Sequence, residues 1–437
     1  MSAEMSVMLE VVAGGDVLGY YNPLDGVIYQ ERREIRETEL KVYPRFPQTE
    51  LYLMLTEACN MNCPSCAVGT DRMKSEGEIP EHMTPELLTA LLEGTFRAQD
   101  RISRTDPTRN QIKIKYAGGE PLFPAGLKLI EHAQGVLTSL KEQYPEINFQ
   151  QLILTNGLLL NDKVVGFIKK SGMFVSVSLW GLDGENDKAR GMREGFGSAD
   201  IVLKGVQRLV ENDISFNINH VVSPENAGNL SSFVERMWNT GSSEFVGNNW
   251  NFPEGKRPIP VAIQFLRPQT HEDMQRILDT GGVDSMVTGL KEMFATATEL
   301  LGNGINVPGL QKLDYLQPFG GVTAFTCGSG INYIAAGPNG VANCHEGLYG
   351  MTPNLDRVFA GEDLLDIVNK HHQGRLEELT GIMRNYDGID PRLHLSLALH
   401  GGGGCPRAEG LSDIYTKRIY AEILPAHLAF EATRQKS

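Results

Sequence analysis

The stretch Thr56–Cys66, TEACNMNCPSC, directly follows a strand-like apolar run at Leu51–Leu55. Its three cysteines are spaced C-x3-C-x2-C, at Cys59, Cys63 and Cys66. One loop can therefore bring three thiolates to a single metal centre, and thiolate is the usual ligand of iron–sulfur clusters. The sequence predicts such a centre at the end of the first strand of the main fold.

Two other interpretations of this triplet fit less well. A structural zinc site normally uses four ligands, often as two pairs of cysteines, and a lone triplet offers only three. Three unrelated buried cysteines would reach this spacing after a strand only by chance. A cubane cluster held by three thiolates fits better, and it leaves one iron free to bind another molecule.

From about residue 50 the chain alternates between strand-like and helical patterns. The apolar strand-like runs are Leu51–Leu55, Ile112–Tyr116, Leu152–Leu154, Phe174–Leu179, Phe216–Val222 and Val261–Leu266. The helical patterns start at Thr84-Pro85, Asn161-Asp162, Ala199 and Leu230. This alternation predicts an α/β fold with a parallel sheet or partial barrel. In such folds the chemistry lies at the C-terminal ends of the strands.

A C-x3-C-x2-C loop after the first strand of a six-fold β/α pattern resembles the radical S-adenosylmethionine (radical SAM) superfamily. The resemblance implies a partial (β/α)6 TIM-like barrel with a [4Fe-4S] cluster and S-adenosylmethionine. Reductive cleavage of this cofactor would give a 5′-deoxyadenosyl radical that takes a hydrogen atom from the substrate. The cofactor carries this chemistry, and the protein supplies binding and orientation. An external donor such as flavodoxin or ferredoxin would supply the electron.

Motifs after the next three strands agree with this family. Gly118-Gly119-Glu120-Pro121 is similar to its GGEP motif, in which the glycines admit the methionine amino group of the cofactor and Glu120 helps to hold it. Thr155-Asn156-Gly157 is similar to a TNG segment near the cofactor. Ser178 and Arg190 match positions that approach the cofactor carboxylate or ribose. Each motif alone is also compatible with an ordinary turn, strand end or surface side chain.

Two positions depart from the family pattern. Ser65 stands before the last cysteine, where the family commonly has an aromatic residue, so the local adenine contact is in doubt. Trp180 stands where the family often has aspartate, which indicates an unusual substrate wall or a packed tryptophan.

Three more cysteines, Cys327, Cys344 and Cys405, lie in the last third of the chain. Their surroundings resemble the C-terminal SPASM or twitch extension of the same superfamily, which implies that they hold one auxiliary [4Fe-4S] cluster. The fourth ligand stays open among His345, His400, a substrate atom and water. In the competing interpretation Cys405, which follows the glycine run Gly401–Gly404, donates a hydrogen atom to a substrate radical.

Four domains are predicted. They are an N-terminal β-hairpin leader at 1–47, the radical SAM barrel at 48–270, a helical linker at 271–309 and the SPASM/twitch-like auxiliary domain at 310–437. In the leader, the apolar runs Ser6–Val12 and Val27–Tyr29 flank the turn-rich Asn22–Gly26, which is typical of a hairpin.

The substrate is predicted only by class. Tyr20–Gly26 is similar to a Y-N-x-L-x-G segment of SPASM-type peptide maturases. It favours oxidative modification, a crosslink or dehydrogenation, of a ribosomally made peptide or natural-product intermediate. The alternatives are a redox-neutral radical epimerase of a sugar, aminocyclitol or peptide with a cysteine hydrogen donor, and a zinc-binding scaffold without activity.

Charge and hydropathy argue against a nucleic-acid-binding, a membrane-spanning or a secreted protein. The formal net charge of −14 argues against a broad nucleic-acid interface. The sequence contains no run of 18 or more apolar residues, so no membrane span is predicted. The first basic residue is Arg32, so the start has no positive region typical of a signal peptide, and a cytoplasmic location is expected.

Overall fold

The structure is a computed structural model, and it describes residues 8–13, 15–22, 27–31, 48–66, 80–182, 184–192, 195–238, 258–266, 271–310, 333–342, 354–369 and 411–436. The chain divides into two compact units. One comprises residues 1–45, 218–327 and 378–437, and the other comprises residues 46–217 and 328–377.

Between Gln48–Thr56 and Val261–Phe265, strands and helices alternate as the sequence predicts; the helix at Pro124–Gln143 is additional to the predicted helix starts. The strands are β1 (Leu9–Ala13), β2 (Asp16–Asn22), β3 (Val27–Tyr29), β4 (Gln48–Thr56), β5 (Gln111–Gly118), β6 (Asn148–Thr155), β7 (Phe174–Ser178), β8 (Phe216–Val222), β9 (Val261–Phe265), β10 (Tyr333–Gly337) and β11 (Gly340–Ala342). The helices are α1 (Pro85–Thr105), α2 (Pro124–Gln143), α3 (Asp162–Ser171), α4 (Glu185–Ala189), α5 (Ala199–Glu211), α6 (Leu230–Trp238), α7 (His271–Asp279), α8 (Gly282–Gly302), α9 (Leu355–Phe359), α10 (Leu364–Asn369) and α11 (Leu411–Lys436).

The second unit, residues 46–217 and 328–377, is built on a largely parallel sheet. Strands β10, β4, β5, β6 and β7 pair side by side in parallel, and β11 pairs with β10 in antiparallel. Helices α1, α2 and α3 connect β4 to β5, β5 to β6 and β6 to β7. Parallel neighbours joined by helices are the repeating unit of α/β folds, so the predicted fold class is confirmed.

Local sequence explains where the connecting helices begin. The Thr84 hydroxyl accepts a hydrogen bond from the Leu87 N–H at 3.2 Å, and Pro85 occupies the first helical position of α1. The Asn161 side chain accepts from the Val164 N–H at 3.1 Å and caps α3. Both caps satisfy amide groups that have no partner inside the helix, as predicted from the sequence.

The first unit contains the parallel pair β8 and β9 together with α6, α7, α8 and α11. Within the predicted helical linker at 271–309, residues 271–302 form two helices, which are separated by Thr280 and Gly281; Gly281 adopts a left-handed φ of 70°. Helix α11 packs against α8, where the buried ring of His427 stacks on Phe294 at 4.9 Å between centroids.

The leader, also in the first unit, differs from the prediction. It is a three-stranded antiparallel sheet in the order β1-β2-β3, and the turn-rich residues follow β2. The predicted run Val27–Tyr29 is a strand, β3, but it pairs in antiparallel with β2 and not with Ser6–Val12, so the other strand of the predicted hairpin is wrong. Gly19 in the middle of β2 packs closely on β3: a Cβ there would lie 2.8 Å from the Tyr29 carbonyl oxygen.

Some predictions fall outside the described residues. These are Cys327, Cys344 and Cys405, the two candidate histidines His345 and His400, and the Pro23–Gly26 part of the turn. The domain boundaries stay predictions, although β10 and β11, from the predicted auxiliary domain, pair beside β4 in the second unit. In the part of the chain that the structure describes, no helix has the length and apolar character that a membrane span requires.

Candidate functional site

The three N-terminal cysteines lie in the loop that follows the C-terminal end of β4. Cys63 is buried, and Cys59 and Cys66 are half-buried. The Cys66 N–H donates to the Cys63 carbonyl at 3.2 Å, so this end of the loop is a tight turn. All three thiols thus follow the C-terminal end of β4.

Neighbouring segments hold this loop from both sides. The Thr56 hydroxyl accepts from the Ala58 N–H at 3.0 Å and pairs with the His82 ring at 2.7 Å. On the other side, the Asn62 N–H donates to the Gly191 carbonyl at 2.9 Å. The loop is thus fixed where β4 ends and again beyond its first cysteine.

Gly118 and Gly119 allow the end of β5 to run directly against the cysteine loop. The Gly119 N–H donates to the Thr56 carbonyl at 2.7 Å, and the next N–H, of Glu120, donates to the Ala58 carbonyl at 2.8 Å. A Cβ at Gly118 would lie 2.3 Å from the Thr56 oxygen, and one at Gly119 would lie 2.3 Å from the Ala58 oxygen. The two glycines are required by this close approach of backbones.

The Glu120 side chain is fully buried and is held by the ends of two strands. Its Oε1 accepts from the Leu122 N–H at 3.0 Å and the Thr155 hydroxyl at 2.8 Å, and its Oε2 accepts from the Asn156 N–H at 2.7 Å. Burial raises the pKa of Glu120, and these three hydrogen bonds and the Arg190 charge oppose the rise. Since each carboxylate oxygen has two acceptor positions, Oε2 keeps one for an incoming N–H group.

Asn156, at the end of β6, contacts the cysteine loop through its side chain. Its Nδ2 lies 2.7 Å from the Asn60 Oδ1 and 3.7 Å from the Cys59 Sγ. The predicted site residues of three strand ends, Cys59, Glu120 and Asn156, therefore form one connected group.

Arg190 extends from the end of α4 toward the same loop. Its guanidinium carbon lies 4.8 Å from the centre of the Trp180 ring, and its Nη2 lies 3.9 Å from the Met61 sulfur. Within the described residues, its buried Nε has no hydrogen-bond partner. A cation with an unused buried donor is suited to an anionic group such as the carboxylate of an amino-acid ligand. Ser178 is half-buried at the last position of β7.

The electrostatics of Cys59 indicate what the loop needs in order to bind a metal. Burial raises the pKa of the Cys59 thiol to about 11; the Glu120 carboxylate adds to the rise, and Cys63 and Cys66 add a smaller part. Neighbouring negative charge thus disfavours the Cys59 thiolate. Metal ligation requires deprotonated thiols, so three thiolates here call for a strongly positive centre.

The donor set fits an iron–sulfur cluster. It consists of three thiols in one loop, and thiolates are the ligands of such clusters. Among the described residues, no three His, Cys, Asp or Glu side chains converge as they would around one metal ion. In a cubane each thiolate binds a different iron, so three sulfurs need not converge on one point.

Sequence reasoning missed several residues that contact the predicted site residues. Thr155 was noticed only as part of a motif, yet its hydroxyl holds Glu120. Asn60 and Met61 separate the first two cysteines and turn out to contact Asn156 and Arg190. Their place inside the C-x3-C spacing was the available signal, but nothing local indicates their distant partners.

Comparison with known proteins gives a consistent result. Residues 53–237 match the family model described as the Radical SAM superfamily. An uncharacterized protein of Methanocaldococcus jannaschii is 32% identical over 187 residues, which are 43% of this chain and 57% of that protein. A serine-type anaerobic sulfatase-maturating enzyme of Klebsiella aerogenes is 26% identical over 211 residues, 47% of this chain and 48% of that enzyme. The chain thus spans about half the length of these curated relatives.

A solved structure described as native anSMEcpe with bound AdoMet and Cp18Cys peptide aligns with a TM-score of 0.57 at 16% identity. The alignment covers 89% of this chain and 99% of that one. At this identity the likeness concerns the fold, and it confirms the predicted partial barrel.

Proposed function

We propose that this protein, a radical SAM enzyme by its match over residues 53–237, cleaves S-adenosylmethionine reductively and oxidatively modifies a ribosomally made peptide or natural-product intermediate. The observation that carries the proposal is the joining of the C-x3-C-x2-C loop to Glu120 and Asn156 at adjacent strand ends. When bound, the cluster and S-adenosylmethionine supply the electron transfer and the 5′-deoxyadenosyl radical.

The residues of the chain bind and orient. Cys59, Cys63 and Cys66 hold the [4Fe-4S] cluster and leave one iron for the cofactor. The free acceptor position on the Glu120 Oε2 receives an N–H of the cofactor ammonium group, and Arg190 pairs with the cofactor carboxylate through its unused donor. Gly118 and Gly119 keep the end of β5 close to the cysteine loop, and we assign Pro121 and Ser178, at the neighbouring strand ends, to the same cofactor site.

A peptide substrate is supported by two comparisons. The Klebsiella relative is named as a sulfatase-maturating enzyme, and the aligned structure contains a bound peptide. The Y-N-x-L-x-G-like segment at Tyr20–Gly26 points to the same class. An oxidative outcome requires a second acceptor for electrons, and an auxiliary [4Fe-4S] cluster on Cys327, Cys344 and Cys405 would provide it. A flavodoxin or ferredoxin supplies the first electron.

The test measures iron per chain and cleavage of S-adenosylmethionine in three anaerobically reconstituted proteins. The first is wild type. The second has Ala at Cys59, Cys63 and Cys66, and the third, a matched variant, has Ala at Cys327, Cys344 and Cys405. We expect about eight irons per wild-type chain and about four in each variant. With dithionite and S-adenosylmethionine, 5′-deoxyadenosine should form in wild type and in the variant that lacks Cys327, Cys344 and Cys405, but not in the variant that lacks Cys59, Cys63 and Cys66.

The outcomes separate the alternatives. A wild type without iron and without 5′-deoxyadenosine would refute the radical mechanism, and bound zinc in its place would favour the scaffold. About four irons in wild type, with solvent deuterium in the product, would favour a redox-neutral epimerase with a cysteine hydrogen donor. Product without solvent deuterium supports the oxidative reaction.

A further inference from the structure

We propose that Asn156 is a positioning residue for the cluster, whose side-chain amide donates a hydrogen bond to the Cys59 sulfur and thereby raises the cluster's reduction potential. The inference rests on the proposed function, because it assumes a cluster on the cysteine loop. It goes beyond that function in assigning a residue that sets how easily the cluster accepts its electron.

The contact joins residues that are 97 positions apart in the chain. The Asn156 Nδ2 lies 3.7 Å from the Cys59 Sγ, within the usual range of a hydrogen bond to sulfur, and 2.7 Å from the Asn60 Oδ1. An amide nitrogen carries two hydrogens, so it can serve both acceptors at once. Asn156 is 5% exposed, and water therefore competes little for these donors.

The orientation of the amide follows from its other contact. The Asn156 Oδ1 accepts from the Leu158 N–H at 3.0 Å. Rotating the amide by 180° would place an NH2 group against that N–H and would turn the oxygen toward two acceptors, the Asn60 oxygen and the Cys59 sulfur. The hydrogen-bond network thus fixes which atom faces the sulfur.

The backbone of Asn156 is held as firmly as its side chain. Its N–H donates to the Glu120 Oε2 at 2.7 Å, and the following Gly157 N–H donates to the Thr155 hydroxyl at 3.1 Å. The protein itself therefore holds the donor in place. A preorganised donor needs no rearrangement when charge on the sulfur increases.

The direction of the effect follows from charge. Reduction adds one electron to the cluster, and part of the added negative charge resides on its thiolate ligands. An N–H group aimed at such a sulfur stabilises the reduced form more than the oxidised form, and hydrogen bonds to sulfur are among the factors that set cluster potentials.

The experiment is a redox titration of the reconstituted cluster followed by electron paramagnetic resonance, without S-adenosylmethionine. Asn156→Ala removes the side chain; Asn156→Asp keeps its shape and the acceptor for the Leu158 N–H but has no N–H donor. Asn60→Ala is the matched control, because it removes the other partner of the same amide and leaves the donor to sulfur. All proteins also carry Ala at Cys327, Cys344 and Cys405, so that one cluster is observed.

We expect the reduction equilibrium constant to fall roughly three- to tenfold in Asn156→Ala and further in Asn156→Asp, where about 59 mV corresponds to each tenfold change for one electron. Asn60→Ala should stay within about twofold of the reference. Unchanged potentials in both Asn156 variants would overturn the inference, as would an equal fall in Asn60→Ala.

Loss of iron from both Asn156 variants would also overturn it, since removing one hydrogen bond should leave three thiolates able to hold the cluster. Failure of the wild type to bind iron on the first cysteine loop would overturn the proposed function as well. If the wild type binds the cluster but the reduction potentials of the Asn156 variants do not change, only the role of Asn156 is refuted.

Discussion

Gly119→Ala tests the packing of the end of β5 against the cysteine loop. The added Cβ would lie 2.3 Å from the Ala58 carbonyl oxygen and 2.5 Å from that of Glu57, where ordinary contacts begin at 3.4 Å. Both atoms belong to the backbone and cannot rotate away. The two backbones must therefore separate by about 1 Å, which moves the loop that carries Cys59.

The cost has two parts. Forcing an extra methyl group into a packed site costs about 1–3 kcal/mol. The separation also weakens two short backbone hydrogen bonds, from Gly119 to Thr56 at 2.7 Å and from Glu120 to Ala58 at 2.8 Å. Each such bond contributes about 0.5–1.5 kcal/mol. We expect the variant to lose roughly 2–6 kcal/mol of unfolding free energy.

The assay is urea unfolding of the metal-free protein, followed by iron counting after reconstitution. Gly135→Ala is the matched control: Gly135 lies in α2, and a Cβ there would meet nothing within 4 Å. Alanine in an open helical position should stabilise the protein by about 0.5–1 kcal/mol. The control should bind as much iron as wild type, and Gly119→Ala should bind less on the first cysteine loop.

The prediction is refuted if the unfolding free energy of Gly119→Ala lies within about 0.5 kcal/mol of the wild-type value and the variant binds as much iron as wild type. The close approach of the two backbones would then not be needed to form the site. Equal destabilisation of the two glycine variants would also contradict it, because only one of the two positions is crowded.

Three further predictions concern a ligand contact, a buried imidazole and a helix cap. Arg190→Gln removes the charge over Trp180, and calorimetry with the cluster-loaded protein should show S-adenosylmethionine affinity at least about tenfold weaker; unchanged affinity contradicts the assigned contact. Burial lowers the pKa of His427 from 6.5 to about 3. Between these two pH values the unfolded chain binds a proton that the folded protein does not, so the unfolding free energy falls by up to about 1.4 kcal/mol for each pH unit of acidification. In His427→Gln, the unfolding free energy measured in urea should depend less on pH in that range. Asn161→Ala should lower the unfolding free energy by about 1 kcal/mol through loss of the α3 cap, and an unchanged urea midpoint would refute this.

Much of the fold is readable from the sequence because its determinants are local. Strand-like runs and caps such as Asn161 depend on neighbours a few positions away. The leader was predicted wrongly for the same reason. No strand was predicted at β2, which has Gly19 in its middle; the missing side chain of Gly19 lets β2 pack on Tyr29, which only the folded sheet reveals.

The site is predictable in its composition and less so in its contacts. The cysteine spacing and Glu120 are recognisable from short motifs at predicted strand ends. The contacts of Asn156 with Cys59 and Asn60 depend on how the ends of β4 and β6 come together, and nothing near Asn156 in the sequence encodes that distance.

Trp180 shows how a departure from a family pattern can be explained by the structure. A carboxylate at this position, beside Arg190, would form an ion pair and neutralise the guanidinium. The tryptophan ring instead holds the guanidinium at 4.8 Å by a cation–π contact, which orients the cation without cancelling its charge. That charge already acts on the Glu120 carboxylate, and the unused Arg190 Nε remains for an anionic ligand. The substitution therefore preserves a positive site beside the cysteine loop.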